Sequence, residues 1–280
     1  MKKRISVIFI VLLFTIGLAV MIYPFFSNWY NQRSQAEIIV NYEENIANAK
    51  EEELAAERAA AHAYNEGLKD NVILTDPFDP NAIKETSQDY YDTLNMNGDG
   101  IMGYIEIPKI NVKLVLYHGT TAEVLSKGVG HLENTTLPVG GAGTHAVFSA
   151  HTGYPTSTLF TNLVDLEVED TFYLTVLDEK LAYQVDQIKV VDPSNTSDLL
   201  IDRDEDLVTL VTCTPYGVNS HRLLVRGTRI PYVEGIEMPD QPDDQYLFYA
   251  IAAVIGIIGI ASTIIIVKRR RRRRRKKNEA

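Results

Sequence analysis

One cysteine, Cys213, is the only thiol in this 280-residue chain. A single cysteine excludes an intrachain disulfide, and outside the cell a thiol without a partner needs another explanation. Cationic charge is also scarce where a nucleic-acid binder would need it. Thirteen of the 27 basic residues lie in the extreme ends, leaving 14 against 36 acidic residues in positions 27–246. That stretch carries about −22, which repels phosphate backbones and argues against a nucleic-acid partner.

Long apolar runs are present, and there are two. Residues 5–26 and 247–267 are each roughly 20 residues, enough to cross a bilayer as a helix. Lys2, Lys3 and Arg4 precede the first, and Lys268, a block of arginines, Lys276 and Lys277 follow the second. By the positive-inside tendency, residues 1–4 and the basic tail 268–280 are cytoplasmic and everything between the spans faces outward. Tyr23, Trp29, Tyr30, Tyr246 and Tyr249 suit the interfacial belt. Ile22-Tyr23-Pro24-Phe25-Phe26-Ser27 offers no small-x-small cleavage site, so the first run reads as an uncleaved anchor rather than a signal peptide.

Between the spans the texture changes three times. From 36 to about 68 the chain is rich in Ala and Glu and free of Pro. Its apolar positions (Ile38, Ile39, Tyr42, Ile46, Leu54) are too sparse for a coiled-coil seam, so 27–75 is expected to be a solvated helical stalk. A breaker-rich stretch, Thr75-Asp76-Pro77-Phe78-Asp79-Pro80-Asn81, opens a lid and linker over 76–102. From 103 to 232 short β-branched runs predict strands at 104–107, 112–116, 146–150, 171–176, 181–191, 207–213 and 223–229, with short helical pieces near 122–125 and 158–163. Seven strands in about 130 residues fit one barrel or sandwich, and the pattern does not choose between them. Acidic, proline-containing residues 233–246 read as a linker back to the membrane.

Cys213 ends one of the apolar runs, and Arg222 follows near the start of the next, so antiparallel pairing would bring them together. A thiol attacks a carbonyl as thiolate, which a nearby imidazolium stabilises and a guanidinium complements by holding the oxyanion. Cys213, His151 and Arg222 supply those three functions. Singly each has an ordinary explanation: a small buried hydrophobe, a surface or satisfied ring, a surface charge.

The strings around them alter that balance. Phe148-Ser149-Ala150-His151-Thr152-Gly153-Tyr154, Thr209-Leu210-Val211-Thr212-Cys213-Thr214-Pro215-Tyr216 and Asn219-Ser220-His221-Arg222-Leu223-Leu224-Val225-Arg226-Gly227 closely resemble the sortases, membrane-bound transpeptidases of Gram-positive bacteria. The likeness extends to Met102-Gly103-Tyr104-Ile105-Glu106-Ile107-Pro108 and Leu137-Pro138-Val139-Gly140-Gly141, covering about 103–232. Asp76-Pro77-Phe78 together with a second span is similar to the class C, pilus-assembling branch. The resemblance implies a mainly β, eight-stranded sortase barrel with short helices, preceded by a helical region and lid and flanked by two transmembrane helices. It implies Cys213 as acyl-thioester nucleophile, His151 as acid/base and Arg222 as oxyanion or substrate-backbone donor. His221, although inside the Asn-Ser-His-Arg string, is not at the family's histidine position. The implied partners are pilin or surface proteins bearing a Leu-Pro-x-Thr-Gly-like sorting signal, and a pilin lysine as acceptor. No cofactor or metal is expected.

Three further readings follow. Asp76-Pro77-Phe78 is expected to be a lid, its carboxylate placed for Arg222 or the sulfur and its ring for His151; the alternative is an ordinary helix-to-barrel linker. Asn95-Met96-Asn97-Gly98-Asp99-Gly100 with Glu106 nearly fits a calcium loop, except for Asn at its first position. A helix would have to leave at Glu106, where the chain reads as strand with Pro108 two residues on, so the turn reading is taken. The alternatives in function are a sortase of another class, anchoring proteins to the cell wall, and a non-enzymatic surface protein. The latter lacks support, because Gly235-Ile236-Glu237-Met238-Pro239 carries no sorting motif before the second span.

Overall fold

The computed structural model describes residues 2–68, 74–82, 86–233 and 256. The expected second span, its basic tail and most of the linker before it lie outside the described residues. Eight strands close into a barrel: β1 (Ile101–Ile107), β2 (Val112–His118), β3 (Val129–His131), β4 (Thr144–Ser149), β5 (Thr171–Val176), β6 (Glu179–Val191), β7 (Asp206–Thr214) and β8 (His221–Ile230). Their order around the wall is β1-β2-β3-β4-β7-β8-β6-β5. Barrel rather than sandwich is therefore the outcome, and the seven expected runs all fall in strands. The eighth, β3, has three residues with a glycine in the middle, too short to show alternation.

Two of the neighbour pairs are parallel, β2 with β3 and β4 with β7. A parallel strand is covered on both faces and reads as an unbroken buried run, as β4 does throughout and β7 over most of its length. Alternate side chains of these strands feed two cores. Ala146, Phe148, Leu210 and Val225 face the barrel interior. Val147, Val211 and Leu224 point outward and, with Leu132 and Leu199, form a second apolar cluster on the outer wall. That outer face carries the candidate site.

The helical region departs from its expected form. Helix α1 (Lys2–Asn48) runs unbroken through the first apolar stretch, with Pro24 inside it, and α2 (Glu51–Gly67) follows after a two-residue break. One segment, Leu13–Asn48, is long and apolar enough to cross a membrane, and Phe14, Val20 and Phe25 within it are exposed. The rest is not a solvated stalk. Ile39, Tyr42 and Ile46 form one stripe that is buried against the barrel, joined by Leu54 and Ala61 of α2. Each such apolar side chain contributes about 1.5–3 kcal/mol when fully buried. A stripe too thin for a self-pairing seam suffices when the partner is a ready-made barrel wall.

Polar side chains fix its placement. The Gln35 amide accepts from the Val115 N–H at 2.8 Å and donates to the Lys127 carbonyl at 2.7 Å. The Tyr42 hydroxyl donates to the Met102 carbonyl at 3.0 Å and accepts from the Leu177 N–H at 2.8 Å. Asn65 pairs both ways with the Leu137 backbone, at 2.7 and 3.0 Å. A short helix in the linker, α3 (Gln88–Asp92), and α4 (Ala122–Lys127) are further α-helices among the described residues. The Asn95–Gly100 segment is a turn: the Asn95 and Asp99 side chains accept from the Gly100 and Ile101 amides. Glu106 sits on β1 beside Lys113 and Lys180.

Candidate active site

Register brings the three expected residues together. Strands β7 and β8 pair antiparallel with Cys213 opposite Arg222. Residues directly opposite in such a pair have Cβ atoms only about 5 Å apart on the same face. Cys213 is two residues after Val211 and Arg222 two residues before Leu224, so strand alternation places both on the outer wall. Next to β7 lies β4, parallel, with Ser149 level with Val211. The ladder continues one step beyond the strand end, where the Ala150 N–H donates to the Val211 carbonyl at 3.2 Å. The next step puts His151 level with Cys213.

A hydroxyl chain missed by sequence reasoning holds that step. Thr212 donates to the Ala150 carbonyl at 2.7 Å, and its oxygen lies 2.7 Å from the Thr152 hydroxyl. These bonds tie the residues flanking His151 to the residue before Cys213. Threonine next to the nucleophile was visible in the sequence, but only the parallel pairing shows what its hydroxyl meets. Gly153 has φ +67°, and a Cβ there would come within 2.8 Å of the Tyr216 ring, so the glycine allows the loops after β4 and β7 to close on one another. Asn219 has φ 59°, which asparagine tolerates, and its carbonyl accepts from Arg222 Nη1 at 3.1 Å. Both residues of the sequence strings thus have backbone reasons.

The 76–78 segment lies over this site. Asp76 accepts from Arg222 twice, Nε to Oδ1 at 2.8 Å and Nη2 to Oδ2 at 2.6 Å. The Phe78 ring is 5.4 Å from the His151 ring and 5.2 Å from the guanidinium carbon of Arg222. It also packs on the outer cluster with Leu74. Asp76 opens a tight turn, with the Asp79 N–H donating to its carbonyl at 3.1 Å and the Phe78 N–H to its side chain at 3.3 Å. On its other side His151 stacks on Tyr154, 5.3 Å away with planes 8° apart.

Burial pushes the Cys213 thiol above its ordinary value; Arg222 opposes this and Asp76 adds to it. Burial likewise holds the His151 imidazole below its ordinary value. With 76–78 in place the site favours a neutral thiol and a neutral ring. The other histidines have different company. His118, His131 and His145 are buried and bonded to backbone or hydroxyl groups. His221 leans on Ser220 and sits 3.7 Å from Asp192.

A family model of the sortase domain matches residues 105–230. Among curated proteins, Sortase D of Bacillus subtilis is 31% identical over 131 residues, 46% of this chain and 63% of that protein, so the chain spans under two thirds of this relative's length. Among solved structures, sortase C of Streptococcus pneumoniae is 44% identical at a TM-score of 0.66, covering 71% of this chain and 100% of that one. Sortase C-1 from Actinomyces oris is 47% identical at a TM-score of 0.60, covering 64% and 99%.

Proposed function

This chain belongs to the sortase family, and on that premise we propose that it is a class C enzyme, a cysteine transpeptidase that polymerises pilin subunits outside the cell membrane. The observation that carries the reading is the register: Cys213 lies opposite Arg222 on one side, and on the other Ser149, two residues before His151, is level with Val211, two residues before Cys213. With the segment 76–78 displaced, Cys213 passes its proton to His151 and, as thiolate, attacks the threonine carbonyl of a Leu-Pro-x-Thr-Gly-like motif. Arg222 donates to the oxyanion, and His151 gives its proton to the departing glycine amine, leaving an acyl-thioester. A pilin lysine then attacks the thioester carbonyl, His151 takes the amine's proton, and the C–S bond breaks to release an isopeptide and free Cys213.

Asp76, Pro77 and Phe78 act as the lid in this reading. Their contacts occupy Arg222 and His151, two of the groups that substrate needs, so peptide binding requires the segment to swing away. The pair with Arg222 suits a reversible closure. Its Coulomb attraction is strong, yet taking both ions out of water costs several kcal/mol each, so the net is small. The first apolar run, 5–26, anchors the enzyme, and 247–267 crosses back. This two-pass arrangement, with both termini cytoplasmic, is supported by the basic flanks and the acidic middle.

The test is covalent trapping. The full chain incubated with a sorting-motif peptide and no amine should give an acyl adduct whose mass maps to Cys213, discharged by a lysine-bearing peptide. An intact donor peptide after prolonged incubation with lid-released protein would overturn the assignment. Thr212→Val examines the hydroxyl chain. It leaves the buried Ala150 carbonyl without its donor and is expected to cost about 1–3 kcal/mol of stability, read by thermal melting, together with a slower acylation step.

A further inference from the structure

The loop that begins at His151 is held at both ends, and its far end is held by the membrane-proximal helix. At the near end, besides the threonine chain, the Phe160 N–H donates to the His151 carbonyl at 3.2 Å and the Gly153 N–H to Thr161 Oγ1 at 3.0 Å. At the tip, Asn31 Nδ2 donates to the Thr156 carbonyl at 2.6 Å and to Ser27 in its own helix at 3.1 Å. Asn28 Oδ1 accepts from both the N–H and the hydroxyl of Thr158, each at 2.8 Å. Asn28 and Asn31 are three residues apart and so share one helix face. Nothing in the proposed chemistry uses them.

We propose that Asn28 and Asn31 are positioning residues: where α1 leaves its apolar stretch, they clamp the loop that carries His151 and keep the imidazole in register with Cys213 at the membrane surface. The link from clamp to ring is short. Thr156 is two residues from Tyr154, whose ring lies flat against His151, and the Ser157 N–H returns to the Tyr154 carbonyl at 3.4 Å. The loop is not self-supporting. Leu159 is buried with φ 42°, a left-handed conformation unfavourable for a branched side chain, and its surroundings must hold it there. The helix is a firm base for the purpose, since Gln35 fixes it to the barrel one turn further on. Asn28 lies only two residues past the apolar run at 5–26, a rise of about 3 Å, so the clamp sits at the bilayer interface.

This inference rests on His151 as the acid/base, and its test separates the two. In the full chain in nanodiscs, Asn28→Ala/Asn31→Ala should lower kcat for peptide transfer at least about tenfold, with KM little changed, because small displacements of a reacting group are costly in rate. The melting temperature, and Cys213 alkylation at alkaline pH, should stay as in the parent. Asn28→Asp keeps the acceptor for Thr158 and should restore turnover, whereas Asn31→Asp turns a carboxylate toward the Thr156 carbonyl and should be as slow as the alanine variant. Parent kcat in the double variant, with His151→Ala inactive beside it, overturns the clamp and leaves the chemistry standing. Loss of melting temperature in step with kcat, Asn28→Asp included, also overturns it, as a purely structural contact. Parent turnover in His151→Ala overturns both.

Discussion

Replacing Cys213 by alanine is expected to abolish acyl-adduct formation while leaving the barrel folded. The thiol lies one residue before the end of β7 and is only 7% exposed, but strand alternation puts it on the outer wall, so its removal takes away one sulfur there rather than from the closed interior. The melting temperature should therefore shift by a few degrees at most, whereas turnover has no other nucleophile among the described side chains of the site. His151→Ala and Arg222→Ala are expected to slow turnover by about two to four orders of magnitude, the usual worth of a positioned acid/base or an oxyanion donor. Arg222→Lys keeps the charge without the planar fork that meets Asp76 twice, and should recover little of the loss. The pH profile of the parent should be bell-shaped and governed by the coupled thiol–imidazole pair. Parent-level turnover in the Cys213→Ala protein would end the assignment.

Much of this site could be read before any coordinates, and the reason is chemical. Cys213 and Arg222 are near neighbours in sequence, at a strand end and the next strand's start, so a hairpin-like register joins them. His151 is 62 residues upstream of Cys213, and its approach depends on a parallel β4–β7 pairing that no local pattern announces; its place was legible only through the resemblance of its string. The barrel strands were legible because each carries a buried, β-branched run, and β3 was not, having three residues and a central glycine. The docking of α1 was hidden for a different reason. Its apolar stripe is sparse, and its placement on the barrel also rests on Gln35 and Tyr42, whose partners are backbone groups that a sequence does not display. The hydroxyl chain through Thr212 and the asparagine contacts to the loop tip belong to the same class.

The double variant Asp76→Ala/Phe78→Ala is expected to react with a bulky thiol reagent about ten- to a hundredfold faster than the parent at neutral pH. Two separate effects add. The Phe78 ring lies against both His151 and Arg222, and in the proposed lid it covers the approach to the sulfur, so its truncation is expected to open the path. Asp76 acts through charge. Burial is the first reason the thiol is held above its ordinary value, and the Asp76 carboxylate raises it further against the pull of Arg222. Removing the carboxylate and admitting water lowers the thiol's pKa, so the thiolate fraction at a fixed neutral pH rises, about tenfold for each unit. The rate-against-pH curves of Asp76→Ala and Phe78→Ala should therefore both move to lower pH, the first by loss of charge and the second by relief of burial, and that of Phe78→Ala should also rise in height. Because the segment lies on the outer wall, its truncation lets water reach the Arg222 guanidinium in place of Asp76, so the melting temperature should change little beside the labelling rate. Labelling rates and pH midpoints unaltered in the double variant would leave residues 76–78 as an ordinary linker between helix and barrel.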